Sequence, residues 1–533
     1  MKKKFTLLLA AFMLLMVSAQ AQSPLTFQWA HSVDGNTTAG DNVIGMAKSS
    51  DGNYYVATSF GSSSSQTNAM GVWIDGVESD EIEGSPYTGT SQNNNLVLQK
   101  VDSNGNVQWM IYTDKGDVDC TASHVAPTSD GGVVLAIKAR AWVEEAGLDV
   151  LLRFVLPVGR PQTVKDSETK NGEYRYVIAK ISSSGLVEWT KTVSGTVKTY
   201  AKYETKNNAY VNGMAIDSND NIYIAGNYRT ELNFASDDGT KTTLVASNPL
   251  YWNGTKAEMW NGDSQSVVGD LFLVKLDNHG NFVKSLLAEG TAKCAFLDNV
   301  VCVGDKLYLN GRVQGDGSLM SIGGKTLQAN TECQMPLILS VENIDLSVNY
   351  LRELSPVKNS ANKFVIQNKG AQYLNGSLYF TGLLNGGLRN ADGITDIANN
   401  NSTLLKGYVL QVDPNTGNVL HSVVRTSGGI NGYFGVFEGK NNLYAFGYDM
   451  SAGAILTVID YDAFSIKSED VICRYGTVAN ATTPLVDGDH FIMAHRGGKA
   501  REVRNVASFY GTEFTLSNLK CWGNVYYSYQ ISD

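Results

Sequence analysis

Residues 208–229, NAYVNGMAIDSNDNIYIAGNYR, followed after an interval by residues 270–288, DLFLVKLDNHGNFVKSLLA, decide the fold. Each half holds two apolar runs that alternate with a period of two, are rich in β-branched and aromatic residues, and are split by an Asp/Asn/Gly turn. That is the signature of paired antiparallel strands and not of helices. Four strands and two tight turns therefore make one unit.

The unit recurs. Its second strand returns as YYVATSFG from Tyr54, VVLAIKAR from Val133, LYLNGRVQ from Leu307, LYFTGLLN from Leu378, LYAFGYDM from Leu443 and HFIMAHRG from His490. The third and fourth strands return as LVLQKVD with NVQWMIYT (96–113), YVIAKIS with LVEWTKTV (176–193) and YVLQVDP with NVLHSVVR (408–425). Repetition in fixed order predicts a repeat architecture. Four-stranded antiparallel units arranged radially hide their edges as a β-propeller does. The expectation is an all-β, seven-bladed β-propeller of four-stranded antiparallel blades.

The ends of the chain predict how the ring closes. LTFQWAHSV (25–33) has the fourth-strand pattern, with Trp29 in the place of Trp109 and Trp189, yet no first strand precedes it. It is expected to complete the last blade as the N-terminal closing strand. The chain is also similar to a family of secreted seven-bladed β-propeller repeat proteins. Their units read D-a-F-v-x-K-l-D-x-x-G-x-x-x-W, then a-x-D-x-x-G-n-i-Y-v-x-G. DLFLVKLDNHGNF (270–282) and AIDSNDNIYIAG (215–226) match this form well, whereas NIDLSVNYL (343–351) and LVDGDHFIMAHRG (485–497) match it poorly. The resemblance implies the fold and brings no catalytic residue with it.

Residues 1–21 read as a cleavable export signal: Lys2 to Lys4, an apolar stretch from Phe5 to Val17, then Ala19 and Ala21. The expectation is an exported protein, periplasmic or extracellular, with residues 22–533 as one propeller domain. No Cys stands at the cleavage site, so no lipid anchor is expected, and no second long apolar run predicts membrane insertion. The formal charge of −10 becomes −13 without the three leader lysines, which argues against a nucleic-acid partner. Six cysteines and no CxxC leave two readings open, disulfides of unreadable pairing or buried thiols.

Topology points to a binding face. The second-to-third connections are enlarged at 61–94, 140–173, 230–269, 315–334 and 386–403 and should emerge on one face, opposite the short Asp/Gly turns. Long loops on a rigid scaffold commonly carry binding. Trp142, Tyr251, Trp252 and Trp260, with Asn253 and Asp263 as polar neighbours, are the candidate ligand-binding residues, suited to stacking on a sugar ring. The competing reading is that each Trp anchors its own loop. His124, on the first strand of the second unit, is placed at the channel as a satisfied or solvent-exposed side chain in preference to a catalytic one. Asp-rich turns such as DSNDN (217–221) lack calcium-loop spacing and read as hairpin turns.

No catalytic motif, metal site or cofactor motif is expected. The sequence favours a non-catalytic binding protein for glycan or protein ligands on the loop-rich face. The alternative is an extracellular polysaccharide hydrolase or lyase, with acids such as Glu144, Glu145 and the group around Glu81 as its source of carboxylates.

Overall fold

The computed structural model describes residues 25–531 apart from 35–41, 63–72, 76, 79–92, 116, 120–122, 141, 144–148, 166–173, 195–208, 229–230, 248–269, 291–293, 316, 318, 329–332, 391–395, 401, 474–480, 497–506, 510–511 and 515–523. The expected export signal lies outside the described residues. The chain is an all-β propeller, with no helix among the described residues.

Its strands pair into seven antiparallel sheets, six of them with six or seven strands and one with four. The third shows the pattern, running from Ala209–Ile216 through Ile222–Tyr228 and Asp270–Leu276 to Phe282–Gly290. These are the four runs of the opening quotation, in the same order from axis to rim. The four-stranded sheet runs from Cys294–Val303 through Lys306–Gln314 and Met335–Glu342 to Val348–Glu353.

The last sheet is closed by the other end of the chain. Asn524–Ile531 lies between His490–Arg496 and Leu25–Asp34, in register from Leu25↔Ile531 to Val33↔Asn524. The expected closing strand is therefore an outer strand of the final sheet. Tyr526, Tyr527 and Tyr529 on its partner are fully buried.

Neighbouring sheets are stitched by the repeat residues themselves. Trp29 Nε1 donates to Ser103 O at 3.1 Å and Trp109 Nε1 donates to Ser183 O at 3.0 Å, each reaching the third-to-fourth turn of the next sheet. Gly105, Gly185 and Gly280 in those turns adopt φ of 89°, 84° and 77°. A Cβ on Gly105 would also lie 2.7 Å from the Trp29 ring, so both backbone shape and neighbour demand glycine there. The repeat tryptophans thus serve to join one sheet to the next. Asp217 likewise shapes its hairpin turn, its Oδ1 accepting from the Asn219 and Asn221 amides at 2.9 Å.

The enlarged connections do something the sequence did not show. Trp73–Ile74 and Val77–Glu78 pair onto the closing strand of the last sheet through Val33↔Ile74. Asp149–Val155 pairs onto Val107–Lys115 of the first sheet, Glu231–Ala235 onto Val187–Ser194 of the second, and Leu319–Ile322 onto Phe282–Gly290 of the third. Each described segment extends the outer edge of the preceding sheet. Capping an exposed edge satisfies backbone groups that would otherwise template aggregation.

Candidate functional site: the axial channel

The inner strands share a local irregularity. In Asn42–Lys48, Ala209–Ile216, Cys294–Val303, Val365–Leu374 and Asn431–Glu438 the register skips one residue, at Ile44, Asn212, Asp298, Lys369 and Phe434 respectively. These are β-bulges, which leave one residue outside the ladder and bend the strand. Opposite four of them stands the glycine of the second-strand motif. A Cβ on Gly226 would lie 1.9 Å from Tyr210 O, and one on Gly382 would lie 2.0 Å from Gln367 O, so no other residue fits the closed-up ladder.

All five bulge residues line one channel at the hub of the ring. Its volume is about 800 Å³. Segments 42–46, 123–125, 212–214, 298–300, 367–369 and 481–483 form the wall together with Arg312, Ala371 and Phe434. Carboxamides, hydroxyls and charges dominate the lining, unlike the Leu, Val and Ile packed between sheets.

One sector carries the charge. Arg312 holds Asp298 in a fork, Nε to Oδ2 and Nη2 to Oδ1, both at 2.8 Å. Its Nη1 donates to Gln334 Oε1 at 2.8 Å, and its guanidinium stands 5.0 Å from the Phe296 ring centroid. Asn368 Nδ2 donates to Asp298 Oδ2 at 2.6 Å, and the Tyr408 hydroxyl donates to Asn368 Oδ1. Charge-assisted bidentate bonds are strong and fix orientation. Asp298 is accordingly a buried, fully engaged carboxylate.

Beside this cluster Lys369 enters the channel. Its side chain is exposed to the channel space that it helps to line. Desolvation lowers its pKa, the Arg312 charge lowers it further, and Asp298 partly opposes both. His124 lines the channel as expected, with Nε2 2.9 Å from Val211 O. Burial lowers its pKa, and the Val211 carbonyl opposes that shift.

Of the sequence-derived site residues, Trp142 belongs to a short strand, Trp142–Val143, paired through Trp142↔Val150. Tyr251, Trp252, Asn253, Trp260 and Asp263 lie outside the described residues. Sequence reasoning missed Asp298, Arg312, Asn368 and Lys369. A partial signal was present: Gly213 with Gly226, Gly370 with Gly382, and Gly435 with Gly447 mark three of the five bulges and the strand facing each, that of Lys369 among them. Among the cysteines, Cys302 is a free, partly buried thiol whose pKa burial pushes up to about 11.

Fold and channel together define a β-propeller with a polar axial site. Residues 204–227 match a family model described as Beta-propeller repeat, so the chain carries that repeat. No curated protein matches the chain. Among solved structures, a europium-containing methanol dehydrogenase is 10% identical, with a TM-score of 0.39, covering 95% of this chain and 93% of its own. An apocarotenoid oxygenase mutant from Synechocystis is 11% identical, with a TM-score of 0.33 and the same coverages. The WD40 β-propeller domain of Doa1 is 9% identical with a TM-score of 0.24, covering 73% of this chain and 91% of its own. Scores this low carry no activity across.

Proposed function

We propose that this protein is an exported, non-catalytic binding protein, a ring of seven blades whose axial channel takes a small polar ligand. The channel's size and lining carry the reading: about 800 Å³, walled by polar side chains from successive inner strands. That volume lies within the usual range for small-molecule sites, roughly 300–1,000 Å³. The seven sheets and the pairing of the two chain ends support the blade count. The leader-like residues 1–21 support export.

Hydrolysis of a glycan fits the channel less well. A two-carboxylate mechanism needs an acid and a base free to act at a fixed separation. Asp298 is the one carboxylate among the described lining residues, and both its oxygens are already engaged. For a larger glycan or protein ligand, the aromatic and amide residues Trp142, Tyr251, Trp252, Asn253, Trp260 and Asp263 are the proposed contact set, on their chemistry alone.

The test is a panel of small sugars and sugar derivatives titrated calorimetrically into wild type and Gln367→Trp, which puts an indole into the channel. Ligands binding the wild type are expected to lose at least about tenfold in affinity in the variant, at an unchanged melting temperature. Undiminished binding to Gln367→Trp would place the site elsewhere.

A further inference from the structure

One wall of the channel carries two cations and one carboxylate. Arg312 is matched by Asp298 at 2.8 Å. Lys369 forms no ion pair or hydrogen bond among the described residues, although it stands inside the ring and next to a second positive charge. Two cations against one carboxylate leave this wall of the channel with an excess of positive charge, and a cleft lined by one sign of charge concentrates ions of the other. A cation left over in an otherwise satisfied cluster marks a place for an anion from outside.

The surroundings say what kind of anion. Arg312 and Asp298 lock each other, and Asn368 is held between Asp298 and Tyr408, so the wall beside Lys369 is rigid before any ligand arrives. Preorganised donors bind without an ordering cost. Farther round, Asn299, Gln367, Thr482 and Thr483 present amides and hydroxyls, groups that pair with ligand hydroxyls and not with apolar surface.

Lys369 also sits at a bulge, outside the ladder between Asn368↔Gly382 and Gly370↔Thr381. Its side chain is therefore not required by sheet register. A Cβ on Gly370 would lie 2.2 Å from Phe434 O of the next inner strand, so the backbone that carries the lysine is clamped.

We propose that Lys369 anchors an oxyanion group, a carboxylate or a sulfate, of a small polyhydroxylated ligand held in the channel. The proposal rests on the channel being the binding site and adds the charge class of what it binds. Lys369 supplies the point charge, and the amide and hydroxyl wall receives the ligand's hydroxyls.

The experiment titrates D-glucuronate, a sulfated glucose and D-glucose into the full chain as wild type, Lys369→Gln and Lys369→Arg. Wild type is expected to bind one or both anions at least about tenfold more tightly than glucose. Lys369→Gln should erase that preference, whereas Lys369→Arg, which keeps the charge, should retain most of it and guards against a mere folding defect. The two anionic arms decide between carboxylate and sulfate. Equal binding of charged and neutral sugars by wild type, or a preference that survives in Lys369→Gln, overturns the assignment while leaving the channel as the site. Failure of all three probes to bind overturns the assignment of Lys369 as well, and a wider panel that ignores Gln367→Trp removes the channel reading separately.

Discussion

The third and fourth sheets have the same four-stranded core and end differently at the rim. In the third, the outer strand Phe282–Gly290 gains a further hairpin, Leu319–Ile322 with Lys325–Gln328, through Ala288↔Ile322 and Gly290↔Met320. Met320, Ile322 and Leu327 of that hairpin are buried at 1%, 0% and 2% exposure. In the fourth, the outer strand Val348–Glu353 pairs inward only, among the described residues.

The difference lies in what the next sheet's connection does. The fourth sheet's own connection turns back onto the third. The fifth sheet's connection instead pairs with itself, Gly386↔Asn400 to Arg389↔Asp396, on an extension of Ser377–Arg389. In the sixth, Asn442–Asp449 and Gly453–Asp460 are joined by a tight turn, and Val419–Val424 of the fifth sheet is left as a second terminal strand. A long second-to-third connection thus serves first as a guard for its neighbour's edge, and loop length alone is a poor sign of a ligand face.

The largest effect in this comparison belongs to the closing strand. Removing residues 22–34 would leave Asn524–Ile531, with its buried Tyr526, Tyr527 and Tyr529, as a bare edge along its whole length. The truncated protein is expected to lose its cooperative thermal transition and to aggregate, by calorimetry and light scattering. A cooperative melt at the wild-type temperature would mean that the ring does not depend on this latch.

A middle-sized effect separates covered from bare rims. Ile322→Ala should cost about 3 kcal/mol in urea unfolding, as expected for a large-to-small change at a fully buried site. Leu420→Ala, on the terminal strand of the fifth sheet at 51% exposure, should cost less than about 0.5 kcal/mol. Equal losses at the two positions would erase the distinction.

The smallest effect is a pH dependence at the last sheet's guard. Burial would lower the pKa of His31, but the hydrogen bond and charge of Asp75, aided by the Gly105 carbonyl, outweigh it and raise the value above the usual 6.5. Asp75 lies in the turn of the Trp73–Glu78 hairpin, its Oδ2 2.7 Å from His31 Nδ1 and its Oδ1 accepting from Ser32 N at 2.8 Å. A raised folded pKa gives stabilisation that is full below the unfolded value and is lost as pH rises through the folded value. Melting temperature should therefore fall modestly across neutral pH in wild type, and His31→Gln should flatten that slope. Parallel curves for the two proteins would show that the pair contributes nothing.

Strand order was readable from period-two alternation and turn chemistry, because both are local. The poorly matching stretches 343–351 and 485–497 nevertheless supply strands in the expected places, Val348–Glu353 and His490–Arg496 among them. There packing against neighbours outweighs loss of motif. The closing strand was readable too, since Trp29 fits only a fourth-strand position. The hairpins on the rims were not, because pairing with a preceding sheet leaves no trace in the spacing of the inserted residues. The charged sector of the channel was hidden for a different reason. Asp298, Arg312 and Lys369 come from inner and second strands of two sheets, and bulge residues share no residue type that a repeat search could align.

That lack of shared type has a consequence for how such a protein changes over time. The glycines facing the bulges and the tryptophans reaching the turns are fixed by backbone contact, while the extra residue of each inner strand is Ile44, Asn212, Asp298, Lys369 or Phe434 without harm to the ladder. Each of these five repeats offers one position where mutation rewrites the chemistry of the hub and leaves the frame untouched. A propeller of this kind can acquire a new ligand one letter at a time, and a designer could do the same at those five codons.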